Sequence, residues 1–84
     1  MRERLRIGEV AKLVGVTPKT LRHYEEVGLL RQPERSEAGY RLYCADDLLR
    51  LHRIKRLRSL GFSLTQVKGV LGEPDSGDEL RGIL

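Results

Sequence analysis

A chain of 84 residues, 39% apolar and 33% charged, is sized for one small domain. A domain of this size buries only about 60% of its unfolded surface, which excludes a large enclosed substrate cavity and most self-contained enzymes. The formal charge of +4 hides an asymmetry: residues 1–72 hold 15 Lys or Arg against 8 Asp or Glu, and residues 73–84 hold 1 against 4.

Residues 1–6 alternate charge and read as a frayed arm. From Ile7 the apolar positions Ile7, Val10, Ala11 and Val14 recur at helical spacing and form one face. Gly15 ends this first helix. Thr17 is placed to cap a second, with Pro18 at its first position, where a missing N–H costs nothing. Val16 and Leu21 are spaced as a hydrophobic staple, and the helix runs to about Val27 before a left-handed stop at Gly28. Two short helices joined by Gly-Val-Thr make a helix-turn-helix candidate.

The runs Leu29–Gln32 and Tyr40–Tyr43 flank the polar, glycine-ending stretch Pro33–Gly39, the pattern of a hairpin projecting as a wing. Alternation puts Tyr40 and Leu42 on one side and Arg41 and Tyr43 on the other. Arg41, with Arg35 nearer the tip, is expected to point outward. Tyr43 reads as a packing residue.

A third helix is expected from Ala45, with Asp46 and Asp47 complementing the dipole of its first turn and Cys44 as a poor cap. Leu48, Leu51, Ile54, Leu57 and Leu60 recur every three residues, so the stripe drifts around the helix and different neighbours should cover its ends. His52, Lys55, Arg56 and Ser59 fall on the solvated side. Ser63-Leu64-Thr65-Gln66 is a capping box for a fourth helix, with Phe62 and Val67 as staple and Val70 and Leu71 extending its apolar face to Gly72. Residues 75–84 are expected to open a further helix at Ser76 or Asp78, with Leu80, Ile83 and Leu84 on its apolar side. The expected fold is mainly α with a small β-hairpin, four helices and the start of a fifth. Residues 1–72 form the domain, and 73–84 a linker and truncated helix.

A basic domain is a candidate for a nucleic acid or an anionic membrane surface. The second helix, about 15 Å long, fits a major groove about 12 Å wide. Leu21 and Val27 should hold it to the core, leaving Lys19, Thr20, Arg22 and His23 outward and Tyr24 at the boundary. Lys19 and Arg22 can donate to guanine or to phosphate, and the Thr17 helix start is suited to phosphate. Tyr and Arg on the wing suit phosphate too. No spacing of Cys44, His23 and His52 matches a metal site, and the glycines follow helix ends without forming a phosphate loop. No catalytic group, metal or cofactor is therefore expected. The sequence has no run of roughly 18 apolar residues and no signal-like N-terminus, and with one cysteine a cytoplasmic setting is expected.

The motifs Ile7-Gly8-Glu9-Val10-Ala11, Gly15-Val16-Thr17-Pro18-Lys19-Thr20-Leu21-Arg22-His23-Tyr24-Glu25 and Gly28-Leu29-Leu30 occur in order. So do Arg35-Ser36-Glu37-Ala38-Gly39-Tyr40-Arg41-Leu42-Tyr43 and Leu57-Arg58-Ser59-Leu60-Gly61-Phe62-Ser63-Leu64. Across residues 5–72 the chain resembles the N-terminal DNA-binding domain of MerR-family bacterial transcription regulators. The resemblance implies a winged helix-turn-helix in which Arg22, His23 and Tyr24 contact double-stranded DNA. It places Tyr40 and Arg41 of the first wing on phosphate, and Arg58 and Ser63 in a second wing. His23 stands where many members carry Tyr, and Cys44 replaces the usual Ser or Thr.

The resemblance also implies a homodimer of the full-length protein on a pseudo-palindromic promoter site, untwisting an over-long spacer so that RNA polymerase meets both promoter elements. For these 84 residues alone, which lack an effector domain, a monomer or weak dimer is expected, either as a fragment of a longer regulator, the favoured reading, or as a minimal member assembling on DNA. Two rival readings differ in class: a protein-interaction module using the same fold, and a thiol or metal sensor built on Cys44.

Overall fold

The computed structural model describes residues 4–74. Its elements are β1 (Leu5–Arg6), α1 (Ile7–Val14), α2 (Pro18–Glu26), β2 (Glu34–Arg35), β3 (Arg41–Tyr43), α3 (Ala45–Ser59) and α4 (Leu64–Leu71). The expected helix from Ser76 or Asp78, with Leu80, Ile83 and Leu84, lies outside the described residues.

The local signals act as their chemistry requires. Thr17 Oγ1 accepts from the Thr20 N–H at 3.1 Å, and Ser63 Oγ accepts from the Gln66 N–H at 3.1 Å while Gln66 returns to the Ser63 N–H at 2.9 Å. Gly15 takes φ 84°, a left-handed value open to glycine, and its N–H closes on the Ala11 carbonyl at 2.8 Å. The neighbouring Val14 carbonyl accepts from Lys55 Nζ at 2.7 Å, so α3 fastens the end of α1.

The hairpin differs from expectation in three ways. Its first strand is Glu34–Arg35, inside the stretch read as loop, because Leu29 and Leu30 are buried in the core. The turn closes tightly, with the Ser36 N–H on the Tyr40 carbonyl and the Gly39 N–H on the Ser36 carbonyl, each at 2.9 Å. The residues read as a frayed arm supply a third strand: Leu5 pairs with Tyr43 and Arg6 with Leu42, giving an antiparallel sheet in the order β1-β3-β2. A two-residue strand carries little pattern, and only its partner β3 defines it.

The core gathers Val10, Ala11 and Val14 of α1, Leu21 and Tyr24 of α2, Leu29 and Leu30 after it, Tyr43 of β3, Leu51 and Ile54 of α3, and Val67 of α4. Two apolar expectations are corrected. Val27 is 40% exposed and does not hold α2, because the helix ends at Glu26 and the chain turns at Gly28; Tyr24 occupies the core instead. Val70 is 59% exposed, since the buried side of α4 follows Val67 with only partial cover at Leu64 and Leu71. The drifting stripe of α3 is buried in the middle, at Leu51 and Ile54, and Leu60 at its end is exposed.

Candidate nucleic-acid interface

The outer side of α2 forms first, from helical spacing. Lys19, Arg22, His23 and Glu26 recur at i, i+3, i+4 and i+7 and are exposed; with Thr20 they line one shallow depression. Thr17 stands exposed at the head of this helix, its hydroxyl 2.9 Å from that of Thr20. Tyr24 is not at the boundary: only 9% of it is exposed, and its ring tilts against His23 with centroids 6.4 Å apart. His23 Nδ1 lies 3.9 Å from the Glu26 carboxylate, one turn on.

Glu25, on the inner side of α2, joins the helix to the wing. Its carboxylate accepts from Arg41 Nε at 3.1 Å and from the Tyr43 hydroxyl at 2.6 Å, and its side chain is only 3% exposed. The expectation that Arg41 points outward is therefore corrected. The alternation along β3 holds, but the face carrying Arg41 and Tyr43 turns inward, because a buried carboxylate needs charged and hydroxyl donors. Tyr40 is on the outer face and half exposed. Arg35 sits directly across the ladder from Arg41, a like-charge pair that would repel. The two side chains part, Arg41 to Glu25 and Arg35 Nη1 to the Gly39 carbonyl at 2.8 Å, where it clamps the wing tip.

Arg58 and Ser63 come together at the α3–α4 turn. Arg58 Nη1 donates to the Phe62 carbonyl at 2.9 Å, and Arg58 and Ser63 are exposed. The candidate residues thus form three groups: Thr17 to His23 on α2, Arg35 to Arg41 on the wing, and Arg58 with Ser63. Glu25 ties the first two.

Sequence reasoning missed Glu25, although a signal existed. It lies one turn beyond Leu21 on the side of α2 that faces the core, and an acid in that place calls for a cation from elsewhere in the chain. It also took Asp47 only as a dipole complement. Asp47 is buried, accepts the Cys44 N–H at 3.0 Å and pairs with Arg31 Nε at 3.0 Å. That bond, set against partial burial, holds the Arg31 guanidinium above its ordinary pKa. Arg31 Nη2 also reaches Cys44 Sγ at 2.8 Å, so the cysteine at the weak cap is engaged by the segment leaving α2. Among the described residues, no three His, Cys, Asp or Glu side chains group to hold a metal ion.

Burial first, and then the hydrogen bond to Glu25, push the Tyr43 phenol well above its ordinary range. The folded chain keeps this proton where the unfolded chain, with a tyrosine pKa near 10, loses it. Stability from this group is therefore complete below about pH 10 and falls as pH rises beyond it, by up to about 1.4 kcal/mol per pH unit. Urea unfolding at pH 8 and near pH 11 checks this: the stability gap between the parent and Tyr43→Phe should narrow at the higher pH, and an unchanged gap refutes it.

Residues 5–73 match the family model described as MerR HTH family regulatory protein. The chain belongs to the MerR family. It is 47% identical over 72 residues to the mercuric resistance operon regulatory protein of Bacillus cereus, covering 86% of this chain and 54% of that relative. The crystal structure of a MerR-family transcriptional regulator from Bacillus cereus superposes with a TM-score of 0.79 at 33% identity, covering 96% of this chain and 60% of that one. A second, HiNmlR, described as a MerR-family regulator lacking the sensor domain and bound to promoter DNA, gives a TM-score of 0.73 at 27% identity, covering 96% of this chain and 65% of that one. The chain therefore spans about half the length of the curated MerR-type relative and somewhat more of these two solved structures. The winged helix-turn-helix expected from the sequence is the fold of these MerR-family neighbours. No helix among the described residues is long and apolar enough to cross a membrane.

Proposed function

We propose that this chain is the sequence-specific duplex-DNA-binding part of a MerR-type transcription regulator. The observation that carries this reading is the Glu25 junction, which sets the wing against the helix whose outer side presents Lys19, Arg22 and His23. Helix α2 enters the major groove, Lys19 and Arg22 donate to base edges or phosphate, and Thr17 and Thr20 border the backbone. His23 contributes a contact at the groove edge, while Tyr24 acts from beneath by packing the helix in place. Tyr40, Arg35 and the remaining Arg41 donors face phosphate from the first wing, and Arg58 with Ser63 does so from the α3–α4 turn. These contacts flank a duplex whose deformation is part of the readout.

In the full-length regulator, two copies occupy a pseudo-palindromic promoter site in the cytoplasm, RNA polymerase meets the altered promoter, and no catalysis takes place. The domain is residues 1–72, with residues 73–84 leading into the segment that joins the copies. The rival protein-docking reading needs apolar residues on the outer side of α2, and that side carries Lys19, Arg22, His23 and Glu26.

Selection of duplexes from a random pool tests the proposal. The parent chain should enrich a defined sequence, and Arg22→Gln should relax preference at one or two positions, at a cost of about 1–3 kcal/mol for the favoured base. A parent chain that enriches nothing refutes the reading.

A further inference from the structure

The outer face of the sheet carries a charged group that the contacts above leave unused. Arg6 sits across the β1–β3 ladder from Leu42, and Tyr40 lies two residues before Leu42. That makes Arg6 and Tyr40 diagonal neighbours on one face, within reach of long side chains. The Arg6 guanidinium carbon lies 4.2 Å from the centroid of the Tyr40 ring. The arginine side chain is not needed for the start of α1, because the Arg6 backbone N–H makes the cap by donating to Glu9 at 2.9 Å.

The surroundings are basic. Arg4, Arg6, Lys12 and Arg41 line one open depression with Ile7 and Tyr40. Glu9 also lines it and accepts the Arg6 backbone N–H at 2.9 Å, and Glu34 beside it pairs with Arg4 at 2.9 Å. Neither Arg6 nor Lys12 forms an ion pair among the described residues.

We propose that Arg6, held over the Tyr40 ring, is a backbone-phosphate contact, and that with Lys12 it forms a shelf for the duplex flanking the segment read by α2. This rests on the DNA-binding reading. A free arginine loses rotamer freedom when it binds, whereas one resting over an aromatic ring is already partly placed and loses less. The planar fork matches two phosphate oxygens. The site is open rather than enclosed, which fits an extended polyanion better than a small ligand. Arg41 borders the shelf and also bonds Glu25 of α2, so the shelf adjoins the recognition helix.

The test is fluorescence anisotropy with a labelled mixed-sequence duplex of roughly 20 base pairs, titrated between about 50 and 200 mM salt. Arg6→Gln should lower the slope of log affinity against log salt by about 0.9 and weaken binding by roughly fivefold or more at low salt. On a Tyr40→Leu background the same change should cost less than half as much, because the unsupported arginine has already lost its placement. Arg56→Gln, on the exposed side of α3, should leave the slope unchanged. Urea unfolding midpoints equal to the parent's verify that the variants fold. The proposal is overturned if Arg6→Gln keeps the parent slope, if Arg56→Gln lowers it equally, or if the Tyr40→Leu background leaves the Arg6→Gln cost unchanged. A parent chain without salt-dependent duplex binding instead refutes the DNA-binding reading, and the shelf falls with it.

Discussion

Arg41→Ala is expected to lower the unfolding free energy by about 3–5 kcal/mol, the cost of leaving a buried charge without its ion partner. The stranded group is the Glu25 carboxylate, only 3% exposed, which would keep the Tyr43 hydroxyl as its remaining side-chain donor. Glu25→Ala should cost less than Arg41→Ala, because Arg41 is 27% exposed and its charge finds water. Removing the whole network together, as Glu25→Leu with Arg41→Met and Tyr43→Phe, should recover much of the loss, since no uncompensated polar group remains. Urea unfolding of the three variants checks the order. An Arg41→Ala variant within about 1 kcal/mol of the parent would contradict the assigned role of the pair.

The same result bears on binding. A weakened duplex interaction in Arg41→Ala alone would mix lost fold with lost contact, because the residue holds the wing from within. The triple replacement separates them: it restores packing while leaving the wing without this cation. Binding that stays weak in the triple variant is then assignable to the lost junction, through its cation or its hold on the wing, and not to lost fold.

Leu21→Ala is expected to cost about 3 kcal/mol, within the range of about 2–5 kcal/mol for emptying a fully buried leucine site. Val27→Ala should change stability by no more than about 0.5 kcal/mol, as at other exposed positions. Leu21 is 0% exposed beneath the recognition helix, whereas Val27 is 40% exposed beyond its end. For a chain this short, with total stability of roughly 4–12 kcal/mol, losing Leu21 removes a large share. Thermal and urea unfolding of both variants decide the matter, and equal losses would mean that the end of α2 is anchored differently from the arrangement described.

The four helices were legible because their determinants lie within a few residues of one another. Thr17 reaches Thr20, Ser63 reaches Gln66, and Gly15 supplies the left-handed residue at the end of α1. The polar stripe Lys19, Arg22, His23 and Glu26 was legible, apart from its acid, for the same reason: helical period alone places these residues together. The strands were harder. Alternation along β3 separates Tyr40 and Leu42 from Arg41 and Tyr43, yet it is silent on which pair turns inward.

That choice depends on Glu25, 16 residues from Arg41 and 18 from Tyr43, so no local window contains it. Likewise Leu5 and Arg6 become a strand only because β3 presents an edge to them, and Arg6 meets Tyr40 only through that pairing. The amino-acid order by itself settled helix ends, caps and polar faces, since hydrogen bonds three or four residues apart decide them. Tertiary structure alone settled the inward face of the wing, the third strand and the arginine on Tyr40, because each rests on a contact between segments distant along the chain.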